Sequence, residues 1–257
     1  MTESAVLTEV ADGVITITIN RPERKNAVDR AVRRLVTEAV DRLEADDELR
    51  VGIITGAGGD AFCAGLDLIE ARSGVVNPIG IGGGFAGFAR RQRSKPVIAA
   101  VNGAALGGGF ELVLACDLVV VSTAAWFALP EVLRGLVPGG GGAVRLPQLL
   151  PKAIANRVLL TGERITAEES VRWGLANLMV EPDALIDAAT ELAASIRRAA
   201  PLSVAGTLEI AGAARSNAEA AVWALNDSQV RFIRGTDDAR EGREAFAGKR
   251  AAEWTGR

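Results

Sequence analysis

The run Val14-Ile15-Thr16-Ile17-Thr18-Ile19 alternates with period two, so Ile15, Ile17 and Ile19 share one face of a half-buried strand that Asn20-Arg21-Pro22 ends. The period then changes. Val28, Val32, Leu35, Ala39 and Leu43 recur at spacings of three and four, which predicts a helix with one apolar stripe, capped by Asn26 and closing in Asp46-Asp47-Glu48. Residues 51–55 and 97–101 are short apolar runs before Gly56-Ala57-Gly58-Gly59 and Asn102-Gly103, the pattern of buried strands followed by tight turns. Residues 118–121 and 176–180 read as further strands. Residues 110–116, 152–160 and 166–174 read as helices, the last opening on a capping box of Thr166 and Glu169. Strands alternating with helices predict an α/β core, and their uneven spacing gives no internal repeat. From Pro182 onward strand-like runs vanish and Ala-rich helical patterns cover 184–199, 203–213, 217–233 and 238–249. The expected division is a core over residues 1–195 and an all-helical region over 196–257.

Composition narrows the chemistry. The 257 residues carry 29 Lys+Arg against 32 Asp+Glu, a net charge of −3, and 49% are hydrophobic, enough for a sizeable core without disulfides or metals. With no long basic run there is no electrostatic footprint for nucleic acid or an anionic membrane. The chain contains no His and no Tyr. Ser-His-Asp and Cys-His catalysis and His-ligated metal sites are therefore excluded, which leaves carboxylates, backbone amides, Ser/Thr, Lys and Arg. Cys63 and Cys116 read as reduced core residues. Residues 1–13 lack the basic and apolar regions of a secretory signal, and the longest uncharged run, 73–89, has 17 residues and six glycines, short of a membrane span of about 20. The expectation is a cytoplasmic protein.

Candidate chemistry gathers in three segments. In 97–117 a strand leads through Gly107-Gly108-Gly109 into an apolar helix bearing Glu111, where backbone amides are free to donate to a developing negative charge. The segment Ala61-Phe62-Cys63-Ala64-Gly65-Leu66-Asp67 also turns on a glycine after a strand, and an amide at Leu66 converging with one at the glycine run would make an oxyanion hole. Glu131 stands among Phe127, Ala128, Leu129 and Val132, just before Pro138-Gly139-Gly140-Gly141-Gly142. Desolvation favours neutral acids, so Glu111 and Glu131 could divide acid and base roles. The competing reading is a packing turn with two carboxylates satisfied by Arg134, Arg145 or backbone amides.

Taken together, Ala61 through Asp67, Gly107-Gly108-Gly109-Phe110-Glu111 and residues 127–142 resemble the crotonase (enoyl-CoA hydratase/isomerase) superfamily, from about Val14 to the C-terminus. The resemblance implies a ββα spiral core with a C-terminal all-helical oligomerisation region. It also implies Leu66 and Gly108 as oxyanion donors, Glu111 and Glu131 as catalytic carboxyls with Glu131 the base and Glu111 the acid, and Gly139 as a holder of the reacting water. Ala64, Asp67 and Leu68 match substrate-binding positions, and Phe246 and Lys249 match positions that reach the CoA of a neighbouring subunit. The implied activity is enoyl-CoA hydration, with no metal and no cofactor beyond the CoA of the substrate, in a homotrimer or a dimer of trimers. Residues 83–87, 127–131 and 172–174 and the ending Trp254-Thr255-Gly256-Arg257 look similar to carnitinyl-CoA dehydratases, whose quaternary ammonium would want a cage. Phe85, Phe88, Trp126 and Phe127 are the candidates for it, and 73–89 is expected to border the acyl pocket. An enoyl-CoA isomerase and an inactive acyl-CoA-binding protein are the other readings.

Overall fold

The computed structural model describes residues 4–67 and 82–253. Val6–Ala11 (β1) and Val14–Ile19 (β2) form an antiparallel hairpin turning at Asp12 and Gly13, both at positive φ. The period-two run is β2, as predicted. β1 is an addition: it lies at the sheet edge with most of its side chains exposed, so its sequence carries no clean alternation.

Val51–Gly56 (β3), Val97–Val101 (β5), Leu118–Ser122 (β7) and Leu178–Val180 (β10) extend β2 in parallel, giving the order β1-β2-β3-β5-β7-β10. Both faces are covered, and period-two alternation sorts the side chains between them. Ile54, Ala99 and Val101 join Ile15, Ile17 and Ile19 on one face. Val51, Ile53, Ile98, Ala100 and Val120 meet Leu185, Ala189 and Ala193 of helix Leu185–Arg197 on the other.

A second, smaller sheet comes from strands too short to show a period. Ala61–Cys63 (β4), Ala104–Leu106 (β6) and Trp126–Ala128 (β8) pair in parallel, and Ile165–Thr166 (β9) joins β8 antiparallel. Three times, a strand of the large sheet passes within a few residues to one of the small sheet: β3 to β4, β5 to β6, β7 to β8. The structure thus repeats a unit that the sequence spacing hides, because the segments between successive turns differ in length and content.

The first helix, Arg30–Ala45 (α1), buries Val32, Val36, Ala39, Val40 and Leu43. Its cap is Asp29, whose carboxylate accepts from Val32 N at 2.8 Å, and not Asn26. Asn26 is fully buried in the left-handed region (φ 56°). Its amide donates to Ala57 O and Ala61 O, and its carbonyl oxygen accepts from Arg21 N, so it clamps the turn between β3 and β4. The capping box at Thr166 and Glu169 is present. The glycine run 107–109 opens helix Gly108–Leu114 (α2), and Gly142–Leu149 (α3) follows the second glycine run.

Toward the C-terminus the two helices expected over 203–213 and 217–233 are one, Pro201–Arg234 (α7, after Lys152–Thr161, α4; Ala167–Arg172, α5; and Leu185–Arg197, α6). Residues 214–216, which lie between the two, include no helix-stopping residue type. Asp237–Gly248 (α8) is capped by Thr236 and returns onto the 3₁₀ turn Pro130–Arg134. The approach is tight: a Cβ on Gly242 would lie 2.2 Å from Arg134 O, and one on Gly135 2.5 Å from Asp238 O. Among the described residues no helix is long and apolar enough to cross a membrane. Cys63 is buried and Cys116 partly so; both are free thiols, pushed up to about 12 by burial.

Removing the two polar anchors of this entry region has unequal effects. Asp29→Ala loses one cap and costs about 1 kcal/mol. Asn26→Ala removes the partners of Arg21 N and Ala57 O, leaves Ala61 O to Asn102 alone, and costs roughly 2–4 kcal/mol. Urea unfolding of both variants beside the native protein checks the order.

Candidate active site

Each glycine at 107–109 has its own steric reason. Gly107 sits at φ +52° with its amide donating to Ala128 O of β8, and a Cβ there would stand 3.1 Å from Glu131 Oε1. A Cβ on Gly108 would fall 2.5 Å from the Phe85 ring, and one on Gly109 2.0 Å from Cys63 O. The first turn of α2 is thereby pressed against the end of β4. Gly65, at φ +89°, completes the contact, since a Cβ on it would lie 3.3 Å from Gly108 N.

This approach brings two amides to one wall. Leu66 pairs with Val28 through the rungs Val28 N to Gly65 O and Asp67 N to Val28 O, which flank the Leu66 amide and leave it out of the ladder. Gly108 is the first residue of α2, where the helix supplies no acceptor. Both line a pocket of ≈ 130 Å³ together with Ala64, Phe85, Glu111, Glu131 and Gly139.

Glu111 is 2% exposed on the otherwise apolar α2. Its Oε1 accepts from Gly140 N at 2.7 Å and Gly142 N at 2.9 Å, so the second glycine run wraps the carboxylate. A Cβ on Gly140 would sit 2.5 Å from Glu111 Oε2, which is why a side chain is excluded there. Arg145 lies below, donating to Gly140 O and Ala89 O. Burial raises the Glu111 carboxyl above its ordinary range, and the amides and the Arg145 charge oppose that rise.

Glu131 has no such wrapping. It stands on the 3₁₀ turn, and its Oε2 is shielded from solvent with no hydrogen-bond partner among the described residues. Burial first, and the neighbouring Glu111 charge second, push its carboxyl up to about 8. A carboxyl that a neighbouring carboxylate raises in this way keeps its proton while the neighbour is charged, so the pair favours a single negative charge near neutrality. Two N–H groups point at Glu111 and none reaches Glu131 Oε2 among the described residues, so the surroundings favour charge on Glu111 over Glu131.

Of the residues expected at the site, Ala64, Leu66, Gly108, Glu111, Glu131 and Gly139 line this one pocket. Asp67 instead pairs with Arg21 at 3.0 Å. Leu68 lies outside the described residues. Phe246 is half exposed with the Arg134 guanidinium 4.5 Å over its ring, and Lys249 ends α8 at the surface. The aromatic cage does not assemble. Phe88 and Phe127 are in the core, Trp126 stacks under Arg164, and Phe85 alone of the four reaches the pocket. Of the segment expected to border the pocket, 73–81 lie outside the described residues, and Phe85 is the part that reaches it. Sequence reasoning missed Gly140 and Gly142 as holders of Glu111, although the glycine run was visible. It also missed Val230, Ile233 and Arg234, which only the return of α7 brings to the pocket, and it offered Arg134 as a counter-charge without placing it in the lining.

A pair of sheets that presses the free amides of Leu66 and Gly108 and two buried glutamates into one pocket defines an acyl-thioester site of the crotonase type. Residues 9–257 match the enoyl-CoA hydratase/isomerase family, and the chain belongs to it. It is 44% identical to a carnitinyl-CoA dehydratase of Proteus mirabilis, with all of both chains covered. Among solved structures it is similar to a carnitinyl-CoA hydratase from Mycobacterium avium (41% identity, TM-score 0.94, all of both chains). It is also similar to an enoyl-CoA hydratase from Mycobacterium marinum (46% identity, TM-score 0.80, 99% of this chain and 100% of that one). The crotonase-like α/β fold expected from the sequence is the fold of this chain.

The raised Glu131 carboxyl has a stability consequence of definite sign. Its folded value lies above the unfolded one, so the contribution is complete below about pH 4.3 and is lost as pH rises through about 8. Glu131→Gln removes that loss. Its melting temperature should exceed the native protein's at pH 9, by on the order of 1 kcal/mol or about 2–4 °C, with the gap closing toward pH 4. Thermal melts across that range check it.

Proposed function

We propose that this protein is a hydro-lyase that reversibly adds water across the 2,3 double bond of an enoyl-CoA thioester. The observation that carries the reading is the shared pocket: two buried carboxyls, one wrapped by backbone amides and one with an unpartnered oxygen among the described residues, with the Leu66 and Gly108 amides in the same lining. Ionised Glu111 takes a proton from water as the oxygen attacks the β-carbon. The π electrons move onto the thioester oxygen, where the Leu66 and Gly108 amides hold the charge, each worth a few kcal/mol. Glu131 then delivers its proton to the α-carbon. The pair's single proton has passed from Glu131 to Glu111, and its return resets the site. This division reverses the one expected from sequence. Support for it comes from the amides that favour charge on Glu111 and the unpartnered Oε2 that disfavours charge on Glu131. Gly139, lining the same pocket, is the proposed holder of the water.

As proposed, the reaction needs no metal or redox cofactor. Residues 196–257 are proposed to assemble the chain into trimers or pairs of trimers, in the cytoplasm; Leu202, Ile210 and Phe232, all exposed on α7, support an assembly role. A carnitinyl-CoA dehydratase is the second reading, favoured by whole-chain identity to proteins of that name.

The direct test is loss of conjugated-enoyl absorbance with crotonyl-CoA. The native protein is expected to turn over, and Glu131→Gln and Glu111→Gln each to lose about two to four orders of magnitude in kcat. Oxygen from labelled water should appear in the product. Double-bond migration without that label would point to an isomerase, and binding without turnover to an inactive member. Light scattering checks assembly: a mass of three or six chains is expected, and a monomer refutes it.

A further inference from the structure

The far end of the pocket carries charge that the proposed chemistry does not use. Glu131 and Arg134 are three residues apart on a 3₁₀ turn, the spacing at which side chains eclipse, so both face the same side. Arg134 lines the pocket beyond Glu131, with the Phe246 ring stacked on its guanidinium and Leu136 and Val137 beside it. Burial pulls the Arg134 pKa below its ordinary value, a sign that the cation sits where water solvates it poorly. Arg234, at the same wall, is shifted the same way by burial and by the nearby Arg243 charge. Among the described lining residues the carboxylates are the two reacting glutamates, and one of those holds a proton.

Arg134 lines the same pocket as the Leu66 and Gly108 amides and both glutamates, so it is within the space open to the acyl chain of a thioester held there. We propose that Arg134 makes the pocket selective for enoyl-CoA thioesters bearing a carboxylate on the γ-carbon, and selective against those bearing a quaternary ammonium there. The inference rests on the acyl-thioester reading of the site. A planar guanidinium matches a carboxylate with two parallel hydrogen bonds, and such a charge-assisted pair offsets the desolvation that the cation already bears. An ammonium would meet two guanidiniums with Phe85 as the one aromatic ring at the described wall, where recognition of that group calls for a cage.

Binding of saturated thioesters tests the inference without requiring turnover. Glutaryl-CoA, pentanoyl-CoA and 4-(trimethylammonio)butanoyl-CoA match in length and differ in terminal charge. Calorimetric titration of the native protein should give a Kd for glutaryl-CoA about tenfold or more below that of pentanoyl-CoA, with the ammonium ester weakest. Arg134→Leu and Arg134→Gln, each checked for native circular dichroism, should bring the first two within about threefold. Equal binding of all three by the native protein, tightest binding of the ammonium ester, or a preference that survives both substitutions overturns the proposal. Crotonyl-CoA hydration is read separately. Charge preference without turnover would leave the selectivity standing and remove the hydratase reading, and turnover without preference would do the reverse.

Discussion

Placing a carboxylate inside an apolar helix is the constraint on which the rest of the site depends. An unpaired charge at Glu111 would cost several kcal/mol, and the fold meets that cost with backbone N–H groups in place of a cationic side chain in direct contact. Two amides can reach one oxygen only if the chain after residue 138 turns tightly and without side chains, which accounts for glycine at 139–142 and for Arg145 bracing the turn from beneath. The turn in turn fixes where α3 begins, and with it the floor on which the substrate pocket rests. Glu131, denied equivalent donors, becomes the other half of an unequal pair. The inequality arises from backbone geometry, since the two residues are chemically identical.

The same economy governs the opposite wall. Gly65, Gly108 and Gly109 are small because two loops from different turns of the spiral must touch, and the touching leaves Leu66 and Gly108 with amides outside any ladder. Such donors are fixed before substrate arrives, so little reorganisation accompanies charge development.

How much of this could be read beforehand follows from length scale. β2, β5 and the stripe of α1 were legible because five to sixteen residues suffice to display a period or an unbroken apolar run. The strands of the small sheet, two or three residues each, display none, and they are the ones that position the glycines. Asn26 was misread for a related reason. A buried Asn and a capping Asn look alike in sequence, and only the turn from β3 to β4, distant along the chain, tells them apart. Glu111, Glu131 and the amide positions were visible as motifs. Arg134 was visible only as a possible counter-charge, since its place at the pocket depends on α7 and α8 returning over a turn formed a hundred residues earlier. Sheet-packing helix α6, finally, carries the core through Arg197.

A chain without histidine is unusually quiet near neutrality. Both thiols titrate far above that range, and ordinary carboxyls far below it. Among the described side chains the glutamate pair is the one that burial moves between pH 6 and 9, where the α-amino group is the other ordinary titrating group. Proton uptake on ligand binding, read from heats in buffers of different ionisation enthalpy, becomes a report of whether the ligand changes the charge of that pair, with no label and no substitution.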